Sequence, residues 1–187
     1  MNKSTKGALA AAAAAVLLLG GAGTLAFWTA ETDLEGGDVI SGELKLENAS
    51  CDAAWVYAEG AASAGDPVAL FVPGDVITKD CTFDIVATGD NLSATLTVPD
   101  TAEFGSVEPA AASLEAEVAA TYVDDVGTAL PATITDADDG TVTATITVTF
   151  PFGTDETGTP LVNANDTQGV TATLDEITVS LVQTDPN

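Results

Sequence analysis

The chain has 187 residues, four cations against 29 acids, and a net charge of −25, a length that suits one domain of ordinary size. So acidic a surface cannot neutralise phosphates, which excludes ordinary nucleic-acid binding, and anionic lipid headgroups would repel it. All four cations are lysines and there is no histidine, so the usual general base, zinc ligand and anion clamp are missing and catalysis has little to work with.

Lys3 and Lys6 open the chain, followed by an apolar run over residues 8–19 and the glycines Gly20, Gly21 and Gly23. That layout predicts a secretory signal peptide over residues 1–26. Thr24 and Ala26 place small residues where a signal peptidase inspects, so the cut is expected between Ala26 and Phe27. Residues 8–28 are just long enough to span a bilayer, but the glycines and the alanine-heavy composition argue against a retained anchor. The expectation is a secreted protein of the extracellular matrix or cell surface. Signal peptidase is then a transient partner, and no stable membrane insertion follows cleavage. Removing the leader leaves two lysines against 29 acids, a charge of −27. This acidity reads first as solubility and resistance to collapse. Weak, multi-site binding of Ca2+ or another divalent cation is the functional alternative, and no other cofactor is expected.

Residues 27–37 form an N-terminal extension, and residues 38–187 the predicted β domain. The extension begins with Phe27 and Trp28, two large rings at a new terminus, where side chains are ordinarily solvated. Burying both would contribute about 4–6 kcal/mol. Their home is either the chain's own sandwich or a groove on a neighbouring molecule. Gly36 and Gly37 form a hinge that would let residues 27–35 swing away as an extra strand. Such addition works head to tail and so produces filaments rather than closed dimers.

Alternation of period two then recurs to the end of the chain. Ile40, Leu44 and Leu46 share one face of the first strand. Residues 58–65, rich in Ala and Gly, read as a flexible loop. Ile77, Cys81, Phe83 and Ile85 share a face interrupted by Lys79. Leu92, Ala94, Leu96 and Val98 alternate with Ser93, Thr95 and Thr97. Leu114, Ala116, Val118 and Ala120 could pass for a short helix, but Tyr122 and Val123 following directly favour a strand. The clearest case is residues 141–150, where Val142, Ala144, Ile146, Val148 and Phe150 oppose five threonines. In the last predicted strand, Val170, Ala172 and Leu174 keep one phase while Ile177, Val179 and Leu181 keep the other. That slip at Asp175 and Glu176 predicts a β-bulge or a strand bending across an edge. Turns fall at residues 73–75, 89–91, 99–100, 136–140 and 153–160. Strands at this spacing without helical periodicity predict an antiparallel β-sandwich.

Cys51 and Cys81 are the two cysteines, and in an oxidising compartment they most simply pair. The bridge would close a loop worth about 3–4 kcal/mol. Residues 136–140, with Asp136, Asp138, Asp139 and Gly140, resemble a calcium loop only superficially. Registering Gly140 at the obligatory glycine puts Thr135 and Ala137 where acids are needed, so an acidic hairpin turn is the better reading. Catalytic, cofactor-binding and metal residues are therefore none. The scattered acids offer no way to choose a catalytic pair.

Three blocks resemble a known family. The first is Gly23-Thr-Leu-Ala-Phe-Trp-Thr-Ala-Glu-Thr-Asp, leading to Val39-Ile-Ser-Gly-Glu-Leu-Lys-Leu46. The second is Val72-Pro-Gly-Asp-Val-Ile-Thr-Lys79 with Phe83 and Thr88-Gly-Asp90. The third is Asn165-Asp-Thr-Gln-Gly-Val170 through Leu181-Val-Gln183. In this order they are similar to the secreted proteins handled by the alternate SipW-type signal peptidase, among them the biofilm matrix fibre protein TasA and the camelysin-like proteins. The resemblance implies a jelly-roll-like sandwich, export, and, for fibre-forming members, polymerisation by a donated N-terminal strand. Carried over, that strand is Phe27, Trp28, Thr29, Ala30, Glu31, Thr32, Asp33, Leu34 and Glu35. The chain departs from the fibre protein in being shorter, more acidic and poorer in lysine, and in carrying Cys51 and Cys81. Metallopeptidase activity, described for camelysin-like members, does not carry over to a chain without histidine. The leading expectation is a subunit of an extracellular fibre, self-associating and open to co-assembly with other matrix proteins. The runner-up is a monomeric acidic surface or secreted binding module.

Overall fold

The computed structural model describes residues 31–32, 34–155 and 157–185. The expected signal peptide, its cleavage pair Ala26 and Phe27, and Trp28, Thr29, Ala30 and Asp33 of the expected assembly strand lie outside them. The chain divides into two units, Met1–Val39 and Ile40–Asn187. In the first, the described residues form no regular structure, and the Leu34 and Val39 side chains are 87% and 96% exposed.

The second unit is all-β and antiparallel. Its strands are β1 (Glu43–Cys51), β2 (Val56–Tyr57), β3 (Val76–Thr88), β4 (Ala94–Thr97), β5 (Phe104–Glu108), β6 (Glu117–Asp124), β7 (Gly140–Thr149), β8 (Thr171–Leu174) and β9 (Ser180–Gln183). The main sheet runs β1-β3-β7-β6, with β2 also on β3, and β4-β9 and β5-β8 form two separate ribbons.

Sequence alternation makes the main sheet two-faced. Val142, Ala144, Ile146 and Val148 of β7 are buried, beside Ile77, Phe83, Ile85 and Ala87 of β3 and Val118 of β6. Side chains of one phase share a face, so the threonines of β7 fall on the other. There Thr141 and Thr145 each donate a hydrogen bond of 2.7 Å, to Asp84 and Asp80 across the β3 ladder. Exposed acids are thereby tied down by short polar side chains rather than by cations. The dry face is covered by the ribbons: Ala94 is fully buried, and Leu96, Phe104, Leu174 and Leu181 pack against the core. The predicted antiparallel sandwich is the fold. The predicted strand through Tyr122 and Val123 is β6, which begins at Glu117, so that Leu114 and Ala116 precede it.

Two boundaries differ from the sequence reading. Ile40 does not join the first strand and is 92% exposed, whereas Leu44 and Leu46 pack on the core. The cause is the partner: β3 ends at Thr88, opposite Glu43, so nothing lies alongside Ile40 to pair with it. Gly42 marks the point of contact, since a Cβ there would sit 1.9 Å from the Thr88 carbonyl oxygen. The last predicted strand is two strands: β8 pairs with β5, β9 pairs with β4, and residues 175–179 carry the chain between ribbons. The phase slip at Asp175 therefore records a change of partner, not a bulge.

Lys79 interrupts the apolar phase of β3 by leaning its ammonium over the Trp55 ring, 5.8 Å from the centroid. Residues 58–65 form a closed loop, in which Gly65 N–H donates to Tyr57 O and Tyr57 N–H to Asp66 O.

Candidate assembly surface

Cys51 and Cys81 face each other across the β1–β3 ladder and form the expected disulfide. It closes the end of β1 beyond a register shift between Glu47 and Ser50, where Asn48 takes a positive φ of 55°. The bridge thus holds a strand whose ladder is already interrupted. Asn48 also donates to Asp84 at 2.7 Å.

Of the expected assembly strand, Glu31, Thr32, Leu34 and Glu35 are described, all exposed and outside any strand. A Cβ at Gly36 or Gly37 would meet nothing within 4 Å, and neither residue has a positive φ. No close approach demands glycine at either position, which leaves backbone freedom as what they supply.

The acidic loops are structural. Asp136–Asp138 is a 3-10 turn closed by a capping box, with Thr135 N–H donating to Asp138 at 2.8 Å and Ala137 N–H to the Thr135 hydroxyl. Asp139 accepts from Ala87 N–H at 2.9 Å, continuing β3 beyond the end of β7. Among the described residues no group of three or more Cys, Asp or Glu side chains is placed to hold a metal ion. Three carboxyls elsewhere are held below the ordinary carboxylate range by the bonds they accept: Asp84 by Asn48 and Thr141, Asp155 by Thr157, and Asp166 by Ser113.

Two concavities stand apart from the strand edges. One, of about 790 Å³, is bordered by Phe71, Val72, Phe152, Thr154, Asn163 and Gln168. Its floor is rigid: Phe71 stacks on Phe150 at 4.3 Å, and the buried Asn163 amide donates to the carbonyls of Glu115 and Pro151 at 2.9 Å each. Ser113 adds a hydrogen bond to Asp166 and one from Ala164 N–H. Phe152 is 85% exposed on its rim. Sequence reading missed this feature because Phe71 and Phe152 sit in loops, where no periodicity flags them. The nearby Pro73 and Gly153 turns were its only signal. The second concavity, about 520 Å³, lies between β4 and β6 and is bordered by Leu96, Ala120, Tyr122, Leu130 and Pro131. Burial raises the Tyr122 phenol pKa, and its hydroxyl has no hydrogen-bond partner among the described residues. The first hollow offers rings, an amide and hydroxyls, and the second offers a ring, apolar side chains and the Tyr122 hydroxyl.

Comparison with protein-family models, with curated proteins and with solved structures found no match to this chain.

Proposed function

We propose that the protein is a secreted structural subunit of an extracellular or biofilm-matrix fibre, with a jelly-roll-like chain path, assembling head to tail by donation of residues 27–35 to a second copy. The observation that carries this reading is the state of the chain before β1. Leu34, Val39 and Ile40 are 87%, 96% and 92% exposed on a stretch that joins no strand. Apolar side chains left in water next to a double glycine cost free energy that docking elsewhere would recover. Fibre formation also suits a chain without histidine or arginine, in which Asp84, Asp138, Asp139 and Asp155 accept hydrogen bonds from the chain's own backbone and side chains. Negative-stain microscopy of the exported protein tests it. Filaments are expected, and deletion of residues 27–35 leaves folded monomers. Filaments that persist after the deletion exclude strand donation.

A second reading, a monomeric binding module, draws on the rigid hollow beneath Phe152. It predicts that the exported protein stays monomeric at all concentrations, and that Phe152→Ala weakens ligand capture without affecting assembly.

A further inference from the structure

Hydrogen-bond alternation tells which backbone groups of the main sheet point outward. Phe150 N–H donates to Asp75 O, so odd-numbered β3 residues bond β7 and even-numbered ones face β1. In β1 this assigns Glu43, Lys45 and Glu47 to the β3 ladder and turns the N–H and C=O of Leu44 and Leu46 away from the sheet. Among the described residues nothing bonds those outward groups. The β1 edge is therefore open at Leu44 and Leu46, ahead of the register shift between Glu47 and Ser50.

Three further features describe what fits there. The wall beneath the edge is apolar, because the side chains of Leu44 and Leu46 lie on the core side and β9, with half-buried Leu181, runs against β1. A hollow opens at each end of the strand. One, of about 380 Å³, is bordered by Gly42, Leu44, Leu92 and Gln183. The other, of about 270 Å³, is bordered by Cys51, Trp55, Lys79 and Ile177. Residues 27–35 carry a matching pattern: Trp28, Ala30, Thr32 and Leu34 share one phase, while Phe27, Thr29, Glu31, Asp33 and Glu35 share the other, so that only Trp28 of the two terminal rings falls on the apolar side. Extended, Trp28 and Leu34 stand about 20 Å apart, within the length of β1.

We infer that the outer edge of β1 is the acceptor for residues 27–35 of a second copy, with Trp28 and Leu34 seated in the two end hollows. The inference rests on the strand-donation reading above. The donated strand's acidic phase lies on the solvent face, beside Lys45, which pairs with Glu43 and lies 4.0 Å from Glu47. Lys45 and the bulge at Asn48 are also devices that blunt an edge in a monomer, so the acceptor must be read directly.

Amide hydrogen exchange on the exported full chain does this, at low concentration with and without excess synthetic peptide of residues 27–35. A seated strand protects Leu44 and Leu46 at least tenfold and leaves Lys45 and Glu47 unchanged, since the latter are already bonded to β3. Leu46→Pro, which deletes one outward donor, abolishes the gain at Leu44. Protection that appears instead at Ala120 or around Phe152, or nowhere, overturns the assignment. Filaments seen by microscopy with an unprotected β1 edge would keep strand donation and remove this acceptor. Alternating protection without filaments would keep the acceptor and remove the polymer.

Discussion

At the β6 flank of the main sheet, Val118 and Asp124 donate their N–H groups to Asp100 and Thr128, while Ala116 and Tyr122 accept from Ala102 and Leu130. Two loops clip that flank from both ends and leave the Val118 carbonyl, Ala120 and the Tyr122 N–H between them. At the β1 flank, Leu44 and Leu46 point their backbone groups out, and no described residue bonds them. The same sheet therefore has one edge clipped at both ends by its own chain and one that no loop clips. An open, apolar-floored edge calls for a partner strand, and the clips at the other edge limit any added strand to the short stretch around Ala120.

The largest effect expected from this contrast is all-or-none. Removing residues 27–35 should abolish filaments while circular dichroism shows an unchanged β signature, because none of those among them that are described, Glu31, Thr32, Leu34 and Glu35, belongs to the sandwich core. Next comes the bridge that fastens the open edge. Replacing Cys51 and Cys81 by serine should lower unfolding free energy by about 3–4 kcal/mol in denaturant titration. The loss should be accompanied by faster amide exchange in residues 47–51 and little change in β6. Gly42→Ala should be smaller, about 1–3 kcal/mol, since the new methyl must displace the Thr88 carbonyl at the start of β1.

The smallest effect is that of acid. Folded Asp84, which the Asn48 and Thr141 bonds hold below the ordinary carboxylate range, joins the open edge strand to β7. A depressed carboxyl contributes stability that is present above its unfolded pKa, about 3.9, and lost as pH falls through the folded value. The stability gap between wild type and Asp84→Asn should thus be constant from neutrality to about pH 5 and close on further acidification. The gap is the quantity to follow, because protonation also relieves the chain's self-repulsion and stabilises both proteins alike.

What was legible in the sequence was whatever one buried face imposes. Val142 through Phe150 could be read because every second side chain had to be apolar, and the pairing of Cys51 with Cys81 followed from there being no third cysteine. Ile40 was misplaced because apolar alternation continues past the point where the partner strand stops. The two terminal strands β8 and β9 showed themselves as a phase slip, but their separate partners could not be read, because strand order leaves no periodic trace. For the same reason the open β1 edge was invisible: alternation says which side chains face the core, never which backbone groups lack a neighbour. The hollow at Phe152 lies between loops and follows no period.

The most direct test is negative-stain microscopy of Leu44→Pro and Ala120→Pro side by side, each checked for an intact sandwich by circular dichroism. Each proline removes one outward backbone N–H, the first from the open flank and the second from the gap between the clips. Filaments lost with Leu44→Pro and kept with Ala120→Pro are the predicted result. Filaments kept with Leu44→Pro would contradict the account.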